Sequence, residues 1–189
     1  MFVALDITFG KIEPGQIIAR KYINHWDKLV LGLASPKVDY THFSIAAYPA
    51  DNDYMVFDVT VNGVLTLKRI NTFKGQLARV YAVAGADPRK AIEKADSLMA
   101  EGMPYEGHSG WDYLFRLAPY MLGFWIKHGP RRIPWHGLPN VDSPTMMNCW
   151  EFVRRCYPDI IPADVAATAF AFETACRNGK LTLEQEGSI

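Results

Sequence analysis

The sequence predicts an α+β fold in which an antiparallel sheet packs against helices. Short apolar runs separated by turn residues fill the first half of the chain, whereas helical patterns with capping residues fill the second half. Two of the turns, Pro49 to Asp53 and Asn62-Gly63, are typical of hairpins, which join antiparallel strands. These observations together favour a layer of strands covered by helices.

The strand patterns alternate, so each predicted strand has two distinct faces. They cover residues 15–20, 41–48, 54–61, 64–70 and 76–84. In the second run His42 shares a face with Ser44, and in the third Asp58 shares a face with Val56, while larger apolar residues lie behind. A hairpin between these two strands therefore places His42 and Asp58 on one face of the sheet.

The helical patterns have recognisable ends. Asp87 as N-cap, Pro88 in the first turn and Gly102 beyond the last turn predict one helix. Further helices are predicted from near Cys149 to Tyr157 and from about Pro162 to Asn178.

An aromatic-rich stretch from Trp111 to Ile126 lies between the first and second of these helices. A buried helix is the first interpretation. A lid or groove wall is one alternative, and an interfacial patch beside Arg131-Arg132 and Trp135 is another, since such residues suit a lipid headgroup region.

Length and composition predict a single domain. The chain has 189 residues, of which 49% are hydrophobic and 21% are charged, enough to bury one sizeable core. We expect this domain to span residues 1–180 and the polar residues 181–189 to form a tail.

Charge and cysteine content argue against several classes of protein. With 20 basic and 20 acidic residues the formal net charge is +0, so no nucleic-acid partner is expected. No apolar run approaches the roughly 20 residues of a membrane helix, and the N-terminus lacks a signal-peptide pattern. Three cysteines are too few for a disulfide scaffold. We expect a cytoplasmic protein, with release by lysis, dedicated secretion or association with a virion as alternatives, and the oligomeric state stays open.

Cys149 is the strongest candidate for a catalytic residue. A thiol in the first turn of a helix lies at the positive end of the helix dipole, which favours the thiolate. A thiolate nucleophile needs a base and a group that orients the base; His42 and Asp58 are the candidates, and His108 is the rival base. The Cys149 backbone N–H and a hydroxyl, for which Tyr105 is the candidate, would bind the oxyanion.

The other histidines do not indicate a metal site. His25, His128 and His136 lie in predicted loops, and no pair of histidines has metal-ligand spacing with a carboxylate. Neither a metal nor another cofactor is therefore expected.

Two segments resemble a family of enzymes. Gly102-Met103-Pro104-Tyr105, followed later by Cys149-Trp150-Glu151-Phe152-Val153, resembles the NlpC-type papain-like cysteine peptidases. In that family a Gly-x-Pro-Tyr segment precedes an Asp-Cys-Ser-Gly-Phe-Val motif, and the histidine follows the cysteine. Here His42 precedes Cys149, an order similar to the circularly permuted branch, which includes YiiX-like proteins and relatives of lecithin retinol acyltransferase.

Further segments resemble that branch in the same order, over about residues 12–170. They are Pro14-Gly15-Gln16-Ile17-Ile18, Thr41-His42-Phe43-Ser44-Ile45, Phe57-Asp58 with Asn62-Gly63-Val64, and Pro162-Ala163-Asp164-Val165. The resemblance implies a permuted papain-like fold with Cys149 as nucleophile, His42 as base, Asp58 as the third polar residue and Tyr105 as oxyanion donor. The chain departs from the pattern at three positions: Asn148 replaces Asp, Trp150 replaces a small residue, and Asp58 replaces a more usual Glu.

By this resemblance the expected activity is that of a cysteine peptidase or amidase, which hydrolyses an amide bond through a thioester. Peptides of the kind found in bacterial cell walls are the expected substrates. A lipid-directed acyltransferase or thioesterase is an alternative, suggested by the aromatic stretch and the permuted order. A non-catalytic papain-like binding or structural module, in which Trp150 blocks access, is the other.

Overall fold

A six-stranded antiparallel sheet and four helices form the described part of the chain, so the fold class is α+β. The structure is a computed structural model that describes residues 6–21, 40, 42–59, 64–104, 109–129, 140, 147–165 and 167–189. The strands are β1 (Ile17–Arg20), β2 (His42–Ala50), β3 (Asp53–Val59), β4 (Leu65–Arg69), β5 (Leu77–Val83) and β6 (Leu181–Ser188). They lie in the order β4-β3-β2-β1-β5-β6, and each neighbouring pair is antiparallel. The predicted antiparallel sheet is confirmed.

The register of the central strands determines which side chains share a face. β2 lies between β1 and β3, and Arg20 pairs with His42 while Ile45 pairs with Phe57. A tight turn joins β2 to β3, and Asp51 adopts a positive φ of 53°, which aspartate tolerates better than most residues. Because side chains alternate along a strand, Arg20, His42 and Asp58 lie on the same face of the sheet.

The helices are α1 (Pro88–Ala100), α2 (Ser109–His128), α3 (Cys149–Cys156) and α4 (Ala169–Arg177). α1 begins as predicted, with the Asp87 carboxylate accepting a hydrogen bond from the Arg89 N–H and Pro88 in the first turn.

Apolar residues cover both faces of the sheet. On one face, sheet residues such as Ile17, Ile45 and Phe57 pack with side chains of α1, α3 and α4, including Leu98, Phe152 and Phe172. The other face is covered by a smaller cluster that includes Ile18, Val56, Ile70, Phe73 and Val80. The helical layer places α3 against β2 and β3, the two strands that carry His42 and Asp58.

The expectation of a polar tail after Lys180 is wrong. Residues 181–188 form β6, which pairs with β5 from Val83↔Leu181 to Leu77↔Ser188. Leu181 and Ile189 are buried at its two ends. The polar side chains between them gave the segment the composition of a tail, but its backbone completes the edge of the sheet.

The predicted helix from about Pro162 to Asn178 is shorter than expected. It begins at Ala169, because the Thr168 hydroxyl accepts a hydrogen bond from the Ala171 N–H and acts as the N-cap. Residues 162–165 form a turn before it.

The aromatic-rich stretch forms α2, but its helix is not buried throughout. Met121 is buried, whereas Phe115, Tyr120, Leu122 and Ile126 are exposed. The interpretation as a buried helix is therefore wrong for these four residues. Among the described helices, none combines the length and the apolar character needed to span a bilayer.

Candidate active site

A capping box fixes the N-terminus of α3, where Cys149 is the first helical residue. The Asn148 side-chain oxygen accepts hydrogen bonds from the backbone N–H groups of Trp150 and Glu151, both at 2.9 Å. Glu151 Oε2 in turn accepts from the Asn148 N–H at 2.8 Å. Asn148 thus caps the helix, and the Cys149 side chain is held at the positive end of the helix.

His42 and Asp58 lie together, as the alternation of the two strands predicts. His42 is the first residue of β2, and its Nε2 atom is 2.7 Å from Asp58 Oδ1 on β3. Asp58 is fully buried, and the His42 side chain is 12% exposed. The predicted juxtaposition of the two side chains is confirmed.

Cys149 lies close to the His42 ring. Asp58 engages the ring at Nε2, and the Cys149 side chain interacts with it by charge and by a hydrogen bond. Burial of the ring opposes its protonation, but the charge of the sulfur and the hydrogen bonds to Asp58 and Cys149 outweigh it and raise the pKa of His42 to about 9. His42 is therefore protonated at neutral pH, beside the Cys149 side chain.

Asp58 is the shared acceptor of this site. Its Oδ1 atom accepts hydrogen bonds from Arg20 Nη2 at 2.5 Å, from Ser44 Oγ at 2.7 Å and from His42 Nε2 at 2.7 Å. Lys68 Nζ lies 3.5 Å from the other carboxylate oxygen, Oδ2. The carboxylate thus accepts hydrogen bonds from β1 and β2 at Oδ1, and Lys68 of β4 is an ion-pair partner of Oδ2.

These donors keep Asp58 ionised. Burial favours the neutral carboxyl, but the hydrogen bond and charge of His42, the charge of Arg20 and the hydrogen bond of Ser44 hold the pKa of Asp58 well below its usual range. An ionised Asp58 can fix the His42 tautomer and stabilise the imidazolium.

Sequence reasoning did not identify Arg20 and Ser44 as parts of the site. Arg20 is a charged residue at the end of the short apolar strand Ile17–Arg20, and Ser44 shares the His42 face of β2. A buried charge at the end of such a strand is a signal for a partner, but the sequence does not show that the partner lies on β3.

Two predicted residues lie outside the described part of the chain. They are Tyr105, the predicted oxyanion donor, and His108, the rival base. Of the other cysteines, Cys156 is buried in the core, and burial raises the pKa of its thiol to about 12. Cys176 lies in α4, where burial also raises its thiol pKa.

The described residues contain no cluster of His, Cys, Asp and Glu side chains that could hold a metal ion. The chemistry that this arrangement supports is nucleophilic attack by a thiolate with an imidazole that accepts and donates protons. Comparison of the sequence with protein-family models and with curated proteins finds no match.

Proposed function

We propose that the protein is a cysteine hydrolase that cleaves an amide bond through a thioester on Cys149. One observation carries the proposal: His42 Nε2 lies 2.7 Å from Asp58 Oδ1, and the Cys149 side chain is close enough to the same ring to raise its pKa. The permuted papain-like fold belongs to the same proposal. It is supported by the position of the strands that carry His42 and Asp58, which precede the Cys149 helix and pack against it.

In the proposed reaction, the Cys149 thiolate attacks the carbonyl carbon and a C–S bond forms. The C–N bond then breaks as His42 donates its proton to the leaving amine. In the second half, neutral His42 takes a proton from water, the hydroxide attacks the thioester, and the C–S bond breaks to release the carboxylic acid. The backbone N–H of Cys149, with Tyr105 as the second donor, would stabilise the oxyanion in both halves.

The proposed substrate is a short peptide amide such as those of bacterial cell walls. This choice comes from the resemblance of the Cys149 and Tyr105 segments to NlpC-type peptidases. Trp150 follows the nucleophile and is half-buried, so we expect it to shape the substrate groove beside the sulfur.

The test compares the reactivity of the three thiols and then turnover. At pH 7 we expect iodoacetamide to label Cys149 at least about 10-fold faster than Cys156 or Cys176, since the helix N-terminus and His42 activate the Cys149 sulfur, whereas burial raises the thiol pKa of the other two. Cys149→Ala should abolish amine release from cell-wall peptides, and His42→Ala should reduce it about 10²- to 10⁴-fold. Cys156→Ala is the matched control and should retain activity. Equal labelling of all three cysteines would identify a non-catalytic module instead.

A second candidate, acyl transfer or thioester hydrolysis on a lipid, is favoured by one observation on α2. Phe115, Pro119, Leu122 and Ile126 are all exposed and follow the spacing i, i+4, i+7 and i+11, so they form one apolar stripe on the helix. Lys127 and Arg116 lie beside this stripe. An exposed apolar stripe with basic neighbours is typical of a helix that lies on an anionic membrane surface.

Flotation with liposomes containing an anionic phospholipid separates the two candidates. If the substrate is a lipid, the wild-type protein should float with the liposomes and the variant Leu122→Asp/Ile126→Asp should not. Glu substitutions of the exposed Leu77 and Val64, which lie outside α2, serve as the control. A wild-type protein that stays in the soluble fraction contradicts the lipid candidate and leaves the peptide candidate standing.

A further inference from the structure

Arg20 is a buried cation that crosses a neighbouring strand to reach the candidate site. It lies on β1 and Asp58 lies on β3, so β2 separates their backbones by about 10 Å. The Arg20 side chain is only 2% exposed. Its guanidinium stacks 3.3 Å from the centre of the Phe73 ring, and Gln76 Oε1 accepts a hydrogen bond from Nη1 at 3.5 Å. These contacts hold the guanidinium in place against Asp58.

Arg20 and His42 bind the same oxygen atom. Asp58 Oδ1 accepts from Arg20, His42 and Ser44, whereas the charged group near Oδ2 is Lys68 at 3.5 Å. A carboxylate oxygen offers about two lone pairs, so three donors on one oxygen compete. Ser44 also links two members of this group. Its hydroxyl accepts a hydrogen bond from Arg20 Nη2 at 3.3 Å and donates one to Asp58 Oδ1.

We propose that Arg20 is a positioning residue of the site: it fixes the Asp58 carboxylate across three strands and limits how strongly that carboxylate binds the His42 imidazolium. The inference rests on the proposed function, since it concerns the base of the same reaction. The second half of that reaction needs neutral His42, so a carboxylate that stabilised the imidazolium too strongly would slow the release of the acid. Arg20 counters this effect by neutralising part of the Asp58 charge.

Among the described residues, charged and titratable groups from four elements lie around His42 and Asp58. Arg20 from β1 and Lys68 from β4 face Asp58, while Asp58 from β3 and Cys149 from α3 face His42. Removing Arg20 leaves Lys68 beside Oδ2 but takes away the cation bound to Oδ1, so Asp58 presents more negative charge to His42. The sign of the effect follows, because a stronger anion favours the protonated ring and raises the pKa of His42.

The experiment is an NMR titration of His42 in the wild type, in Arg20→Met and in Arg20→Lys. Met is an unbranched, uncharged replacement for the buried arginine, and we expect the pKa of His42 to rise by about one unit. Lys restores the charge, so its value should lie closer to that of the wild type. Arg79→Met is the matched control, because Arg79 pairs with Glu186 on the neighbouring strand and should leave the pKa of His42 unchanged.

A purely structural role predicts a different result. In that case Arg20→Met lowers the midpoint of urea unfolding but leaves the pKa of His42 unchanged, and the proposal is overturned. Should Arg20→Met fail to fold, arginine ¹⁵N signals of the wild type provide the test. Because Arg20 and His42 share Oδ1, the chemical shift of the Arg20 guanidinium should change with pH at the same midpoint as that of His42. A guanidinium shift that does not change across this range overturns the proposal.

These measurements do not depend on turnover. If Cys149 shows no selective alkylation, the proposed function fails, while the effect of Arg20 on His42 is still read from the titration. If alkylation of Cys149 is selective but the pKa of His42 is the same in the wild type and in Arg20→Met, only the proposed role of Arg20 is contradicted. In the enzyme, the alkaline limb of the pH–rate profile of Arg20→Met should move upward with the pKa of His42.

Discussion

At the scale of single residues, the buried charges of Arg20 and Asp58 depend on each other. Asp58 is fully buried and Arg20 nearly so, and their closest atoms are 2.5 Å apart. We expect Asp58→Asn to lower the free energy of unfolding by about 3–5 kcal/mol, because it leaves a buried guanidinium without its counter-ion. Urea denaturation at pH 7 measures this loss.

Asp53→Asn is the matched control for that experiment. Asp53 is also buried on β3, but its Oδ1 accepts hydrogen bonds from the backbone N–H groups of Tyr54 and Asn71, which an asparagine oxygen can also accept. Its cost should stay within about 1 kcal/mol. Equal losses for the two variants would contradict a special dependence of Arg20 on the Asp58 charge.

The sequence predicted the pairing of His42 with Asp58 but not their wider contacts. Alternation along two strands joined by a hairpin is local information, and it is sufficient to predict that both side chains lie on one face. The contact of Arg20 with Asp58 depends on β1 pairing with β2, 22 positions apart at Arg20↔His42. No local pattern encodes that register, so Arg20 appeared only as an isolated charge at a strand end.

At the scale of elements, β6 is a structural strand. Leu181 is 4% exposed and packs in the core shared by the sheet and α4, whereas Leu183 on the same strand is 48% exposed. We expect Leu181→Ala to lower the free energy of unfolding by about 2–5 kcal/mol, as a buried leucine does when it leaves a cavity.

Leu183, which is exposed on the same strand, provides the control for this prediction. Leu183→Ala should change the free energy of unfolding by no more than about 0.5 kcal/mol in the same denaturation experiment. If both variants behave as the wild type does, residues 181–189 contribute no packing, and the original expectation of a tail is restored.

The elements that the sequence predicted well are those with local end signals. Asp87 with Pro88 sets the start of α1, and Asn148 sets the start of α3, each through a hydrogen bond within three residues of the cap. β6 lacks such signals, because its partner β5 lies about 100 residues earlier and its own side chains are mostly polar. Apolar α2 was predicted as a helix, but its exposed face depends on what packs against it and could not be read from its composition.

At the scale of the whole molecule, the candidate site joins the two halves of the chain. Arg20, His42 and Asp58 come from three adjacent strands of the N-terminal half, and Cys149 comes from a helix that packs on two of them. The sequence predicted Cys149, His42 and Asp58 as candidates, and the fold brings the Cys149 side chain close to the His42 ring. The stability of the sheet is therefore linked to the protonation of the site.

This link predicts a pH dependence for the whole fold. Burial opposes protonation of His42, but the charge of Cys149 and the hydrogen bonds of Asp58 and Cys149 outweigh it and raise the pKa of His42 to about 9, against about 6.5 in an unfolded chain. The stabilisation from protonated His42 is therefore complete below about pH 6.5 and is lost as the pH rises through about 9. Relative to His42→Gln, the wild type should lose on the order of 3 kcal/mol of unfolding free energy between pH 6 and pH 10. Urea denaturation at intervals across this range measures the difference, and a difference that stays constant would mean that folding leaves the proton affinity of His42 unchanged.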